Sequence, residues 1–139
     1  MNVAFESKPK SLGKESEFIN SMEQDSYEEF ISNSLYLRSK YQKSLEEHFE
    51  SLKHLWLEET KLSSNVFYTI NHPAHLQIIK LGKAVVPLLL QDLKKNHNHW
   101  FYALNLITKC NPVEKDHIGR LDAMVGDWIQ WGKSENYID

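Results

Sequence analysis

Five large apolar residues, Tyr41, Leu45, Phe49, Leu52 and Trp56, recur at intervals of 4, 4, 3 and 4. That spacing puts them on one stripe of an α-helix, where neighbours on a face lie three or four positions apart. Lys43, Glu46, Glu47, Glu50 and Lys53 fall off the stripe and read as its solvent side. The same helical recurrence starts upstream at Tyr27, Phe30, Ile31, Leu35 and Leu37. Ser32-Asn33-Ser34 is a possible break, so the region is either one long helix or two. Ser63-Ser64-Asn65 closes it.

Further helices follow from local stop and start signals. In Asn71-His72-Pro73-Ala74 the proline suits a first helical turn, where its missing N–H costs nothing. Leu76, Ile78, Ile79 and Leu81 give this helix an apolar face, and Gly82 is a glycine stop. A second helix carries Val85, Leu88, Leu89 and Leu93, with Pro87 near its first turn and Asp92 read as facing water. The turn Asn96-His97-Asn98-His99 offers Asn98 as a cap for a helix bearing Trp100, Phe101, Ala103, Leu104 and Ile107. That helix ends before Asn111-Pro112. Asp116 reads as the next cap, Leu121, Met124, Val125 and Trp128 as a further helical face, and Gly132 as its stop. Val66–Ile70 has strand-like propensity but no partner strand, so a short helix or connector is expected there. Sustained period-two alternation is missing throughout, which excludes a sheet.

The expected fold is therefore all-α: a compact bundle of five or six helices with a long N-terminal helix. Residues 1–20, rich in Ser, Lys and Glu, bury too little apolar surface to offset chain entropy and read as a disordered tail. Ser21 with Gln24 resembles a capping box, so a single all-helical domain is assigned to 21–139.

One segment has a recognisable likeness. Gly82-Lys-Ala-Val-Val-Pro-Leu-Leu-Leu-Gln-Asp-Leu93 resembles the second helix of a HEAT-type repeat, with 73–81 as the first helix of an antiparallel hairpin and 98–109 with 117–131 as a second pair. A wider pattern spans roughly residues 52–137. It includes Trp56, His72-Pro73-Ala74, Ile78-Ile79, Gly82, Val86-Pro87-Leu88, Trp100-Phe101, Ala103-Leu104, Asn111-Pro112-Val113 and Trp128 to Gly132. It is similar to a family of small uncharacterised bacterial helical proteins. That resemblance implies a bacterial, cytoplasmic protein and carries over no activity.

Composition narrows the function classes. The net charge is −3, with the acid concentrated in the first sixty residues, which argues against general phosphate-backbone binding. The single cysteine excludes an internal disulfide framework and fits a reducing cytoplasm. No apolar run approaches a membrane span, and glycines are too scattered for a phosphate loop.

Four histidines, His72, His75, His97 and His99, are the residues from which a metal-dependent hydrolase would be built, yet no HExxH or paired cysteine accompanies them. The acids do not group, no catalytic residues are assigned and no cofactor is expected. Trp100-Phe101-Tyr102 cannot all face one way on a helix, since adjacent positions differ by about 100°, so at least one ring is surface; the same holds around Trp131. Tyr102, Trp131, Lys83 and Lys94 are accordingly the candidate partner-binding residues of a non-enzymatic protein–protein interaction module, an accessory or regulatory subunit. The alternative partner is nucleic acid, bound through Lys80, Lys83, Lys94 and Lys95.

Overall fold

A computed structural model describes the backbone of residues 13–139 and the side chains of residues 23–139. Among the described residues there are six α-helices and no strand: α1 (Gly13–Thr60), α2 (Val66–Ile70), α3 (Pro73–Lys80), α4 (Val86–Asn96), α5 (Phe101–Thr108) and α6 (Leu121–Ser134). Short 3₁₀ turns at Gly82–Val85 and Lys115–His117 precede α4 and α6. The all-α expectation holds, and Val66–Ile70 is the short helix.

α1 is continuous through Ser32-Asn33-Ser34. The expected disordered tail over 1–20 lies outside the described residues through residue 12. From Gly13 to Asn20 the backbone is already helical, so Ser21 is interior to α1 and not its start. The chain divides into two units after Gln42. In the first, Tyr27, Phe30, Ile31, Leu35, Tyr36, Leu37 and Tyr41 are all exposed. Helical recurrence had placed Tyr27, Phe30, Ile31, Leu35, Leu37 and Tyr41 with the stripe below, but burial begins only at Leu45.

The second unit, residues 43–139, holds the core. Phe49, Leu52 and Trp56 of α1 join Ala74 and Ile78 of α3 and Val86, Leu89, Leu90 and Leu93 of α4. Trp100, Ala103 and Leu104 come from α5 and its entry, and Val125 and Trp128 from α6. α3 packs on α5 and α4 on α6. The chain bends by 106° between α3 and the following segment. That turn is more open than the half-circle of a fully antiparallel hairpin. At the corner Gly82 takes φ +72°, a left-handed conformation costly for any side chain with a Cβ.

The helix ends follow local chemistry. Thr60 turns its hydroxyl back to the Trp56 carbonyl, and Asn65 accepts the Tyr68 N–H to start α2. His72 caps α3 through its ring, with Pro73 in the first turn. Three expected signals fail. Asn98 and Asp116 cap nothing, since α5 and α6 start at Trp100 and Arg120 without side-chain caps. Gly132 is buried inside α6 and does not stop it, because a Cβ there would meet Leu90 and Ile138.

Among the described residues no single helix is long and apolar enough to cross a membrane. α3 with the Gly82–Asn96 segment passes that test only as a bent pair. Its apolar residues Ile78, Val85, Val86, Leu89, Leu90 and Leu93 are spent on the core.

Candidate functional site: a cleft above an anchored aromatic stack

Asp92 was expected to face water. It is 5 % exposed and accepts four hydrogen bonds. Oδ1 takes Lys53 Nζ at 2.8 Å and Asn96 Nδ2 at 2.7 Å. Oδ2 takes Asn98 Nδ2 at 2.8 Å and the Trp100 indole N–H at 2.7 Å. One carboxylate thus joins α1, the end of α4 and the entry to α5. A buried charge is tolerated only when paired and fully hydrogen-bonded, as here. Burial raises the Asp92 pKa, but the four donors, Lys53 first, outweigh it and hold the group below the ordinary carboxylate value. Lys53 is moved up: burial opposes its charge, while the bonds to Asp92 and Glu50 favour it.

Above this anchor lies an aromatic stack. Trp56 and Trp100 have ring centroids 4.6 Å apart, and His75 sits 4.9 Å from Trp56. The Trp56 indole donates to the Thr69 carbonyl at 3.0 Å, fixing α2 over the stack. His75 is fully buried, and its Nδ1 donates to the Ile70 carbonyl at 2.9 Å. A carbonyl only accepts, so Nδ1 carries the proton and Nε2 is a lone pair; no described group bonds that Nε2. Burial lowers the His75 pKa against the Ile70 bond, with neighbouring His72 adding to the fall.

A cleft of about 370 Å³ opens beside the stack. Trp56, Leu57, Thr60, Val66, Thr69 and Ile70 give it a mainly apolar wall, and Lys61, Ser63, Ser64, Asn98 and His99 add polar groups. α2 forms one side and has no buried residue. Val66 is 70 % exposed and Phe67 73 %, while Leu62 in the preceding turn reaches 94 %. Sequence reasoning missed this region because Val66–Ile70 was read only as a short helix or connector, with no role assigned to it. The signal was a run of large apolar side chains outside any periodic stripe.

The four histidines do not converge on a ligand site. The His72 ring accepts from Ala74 N–H through Nδ1 and donates from Nε2 to Glu59 at 2.7 Å, so both nitrogens are engaged. His75 is closed in by Trp56, Trp100 and Tyr102. His97 adopts the left-handed cap of α4, 3.7 Å from Asp122, and His99 lies at the cleft against Phe101. Among the described residues the one group of three or more histidine, cysteine or acid residues whose ligand atoms lie within 4.8 Å of one another is Glu114, His117 and Asp127. Asp127 Oδ2 is already shared, accepting from His117 Nδ1 at 2.7 Å and from the Glu114 backbone N–H at 3.1 Å. That arrangement fastens the 114–117 turn to α6.

Of the candidate partner-binding residues, Tyr102 is 43 % exposed, beside half-buried Phe101 and buried Trp100. Trp131 is half-buried against the core, stacked on Tyr137 with centroids 5.5 Å apart, so its ring is largely packing. Lys80, Lys83, Lys94 and Lys95 are all exposed. Lys94 and Lys95 end α4, where cations oppose the helix dipole, and Lys94 edges a shallow groove with Asn136, Tyr137 and Ile138. Cys110 is free and exposed.

No family model, curated protein or solved structure matches the chain.

Proposed function

We propose that this chain is a non-enzymatic protein-binding module, an accessory or regulatory subunit that offers the cleft and α2 to a partner protein. The observation that carries this reading is α2. It places Val66 at the edge of a cleft walled by Trp56 and Ile70, with Phe67 exposed next to it in the chain. Contiguous exposed apolar surface beside a concavity is where one protein seats an aliphatic or aromatic anchor of another. The Trp56–Trp100–Asp92 assembly supplies the rigid floor that such a pocket needs. Tyr102 adds a second exposed ring.

Within this proposal the α3–α4 pair is a HEAT-like unit and the protein works in a bacterial cytoplasm, where the exposed Cys110 thiol stays reduced. The test is affinity purification of the tagged full chain from its native cells, beside Phe67→Glu and Val66→Asp. The expected result is a stoichiometric partner with the wild type and its loss from both variants. Recovery of the same partner by all three, or of none by the wild type, refutes the reading.

A further inference from the structure

We propose that Glu114, His117 and Asp127 form a binding site for a divalent transition-metal ion, with zinc the best match. The inference rests on these three residues and is independent of the cleft.

Two elements bring the three together. Glu114 and His117 flank a 3₁₀ turn that the His117 N–H closes on the Glu114 carbonyl at 2.9 Å. Such a turn eclipses positions three apart, so the two side chains lie on one side of it. Asp127 comes from the middle of α6, next to Trp128 in the core, which gives its carboxylate a rigid base. The Asp127 side chain is 10 % exposed, and its Oδ2 is aimed by His117 Nδ1 and the Glu114 backbone N–H. One ligand atom of each residue then lies within 4.8 Å of the other two.

Fastening this turn to α6 takes the His117 ring, the Asp127 carboxylate and the Glu114 N–H. It makes no use of the Glu114 carboxylate, to which no donor or cation is bonded among the described residues. Two carboxylates held this close repel each other, so as part of a fastening the Glu114 side chain is unfavourable where it stands. A dication between the two acids turns that repulsion into attraction.

One imidazole nitrogen and two carboxylate oxygens suit zinc, which takes such ligands at about 2.0–2.2 Å. Calcium wants six or more oxygens, and Cu(I) prefers sulfur. Two ligand atoms on one zinc are at most about 4.4 Å apart, so a pair at the upper end of the observed range must close slightly. Glu114 is exposed and unattached, and its side chain makes that movement. The ion takes the place of the Nδ1 proton, which passes through solvent to Nε2, so the ring stays neutral. Asp127 Oδ2 keeps its bond from the Glu114 N–H and gives the ion the lone pair that now accepts from His117. A tetrahedral ion retains one further position for water or for a ligand from outside.

The test is calorimetric titration of zinc chloride into the metal-free full chain. One ion per chain is expected, with the ring resonances of His117 shifting and those of His97 and His99 unmoved. Zinc should raise the melting temperature of the wild type and not of His117→Gln, which should bind none. Glu114→Gln removes the one ligand that the fastening does not use. It should weaken zinc binding at least about tenfold and leave the metal-free melting temperature unchanged. A His97→Ala/His99→Ala chain should bind as the wild type does. No zinc uptake, uptake unchanged in Glu114→Gln, uptake lost with His97 and His99, or a preference for calcium or magnesium over zinc each overturns the site, and the cleft reading stands in every case.

Discussion

The Trp100 indole N–H donates to the buried Asp92 carboxylate at 2.7 Å, and Lys53 of α1 reaches the other oxygen of that carboxylate at 2.8 Å. A ring that would otherwise be only packing is thereby held at a fixed angle against Trp56 and Phe49. Removing one partner of a buried ion pair strands the other, at about 3–5 kcal/mol. Asp92→Ala strands an ammonium and an indole N–H together, so it should fall in that range. Lys53→Met leaves Asp92 three donors and should cost less, about 1–3 kcal/mol. Urea unfolding measures both, and the order matters more than either value. A Lys53→Met chain as unstable as Asp92→Ala would mean that the lysine carries the anchor.

Titration gives a second check on the same residues. The His75 pKa is lowered in the folded chain from an unfolded value of 6.5. Full stability is then present above pH 6.5 and declines as the pH falls toward the folded value, because the unfolded chain takes the proton first. Asp92 is lowered from 3.8, so its contribution persists above that pH and is lost as the pH drops through the folded value. Melting temperatures across this range should show two separate declines. His75→Gln keeps a donor for the Ile70 carbonyl and should abolish the upper decline alone. An unchanged upper decline in that variant would assign it to another histidine.

Much of the fold was legible because burial tracks local periodicity: the stripe from Leu45 to Trp56 and the Val125–Trp128 face lie in the core as expected, and α3 starts at Pro73. Asp92 was misread because its polarity was weighed above its position. It stands three residues after Leu89 and four before Asn96, on the inward side of α4, and its main partner is 39 residues away. Gly132 was misread as punctuation although it continues the 125, 128, 132 spacing of buried positions in α6. The exposed rings of α1 show the reverse limit, since a helical stripe reveals an apolar face but not whether the same chain covers it. The cleft was not legible at all, because its walls come from α1, α2 and the 98–99 turn.

The turn at 114–117 should be separable from the core. Asp127 is held below the ordinary carboxylate value first by the His117 bond and then by the Glu114 N–H. Asp127→Ala removes both fastenings, and amide exchange at Glu114 and His117 should accelerate while that of Leu89 and Leu93 stays slow. Acceleration in α4 as well would show that the turn supports the core.

Two glycines of α6 should respond oppositely to the same change. Alanine is favoured over glycine inside a helix by about 1 kcal/mol, and nothing lies within 4 Å of a Cβ built at Gly126. Gly126→Ala should therefore raise stability by about 0.5–1 kcal/mol. At Gly132 the same Cβ would stand 2.6 Å from Leu90 Cδ1 and 3.2 Å from Ile138 Cγ1. Leu90 is fully buried among close-packed neighbours and has no room to withdraw. Overpacking of that kind costs about 1–3 kcal/mol, enough to reverse the helical gain. Gly132→Ala should thus unfold at lower urea concentration than the wild type, and Gly126→Ala at higher. A stabilised Gly132→Ala chain would show that the α4–α6 contact is looser than the packing of Leu90 implies.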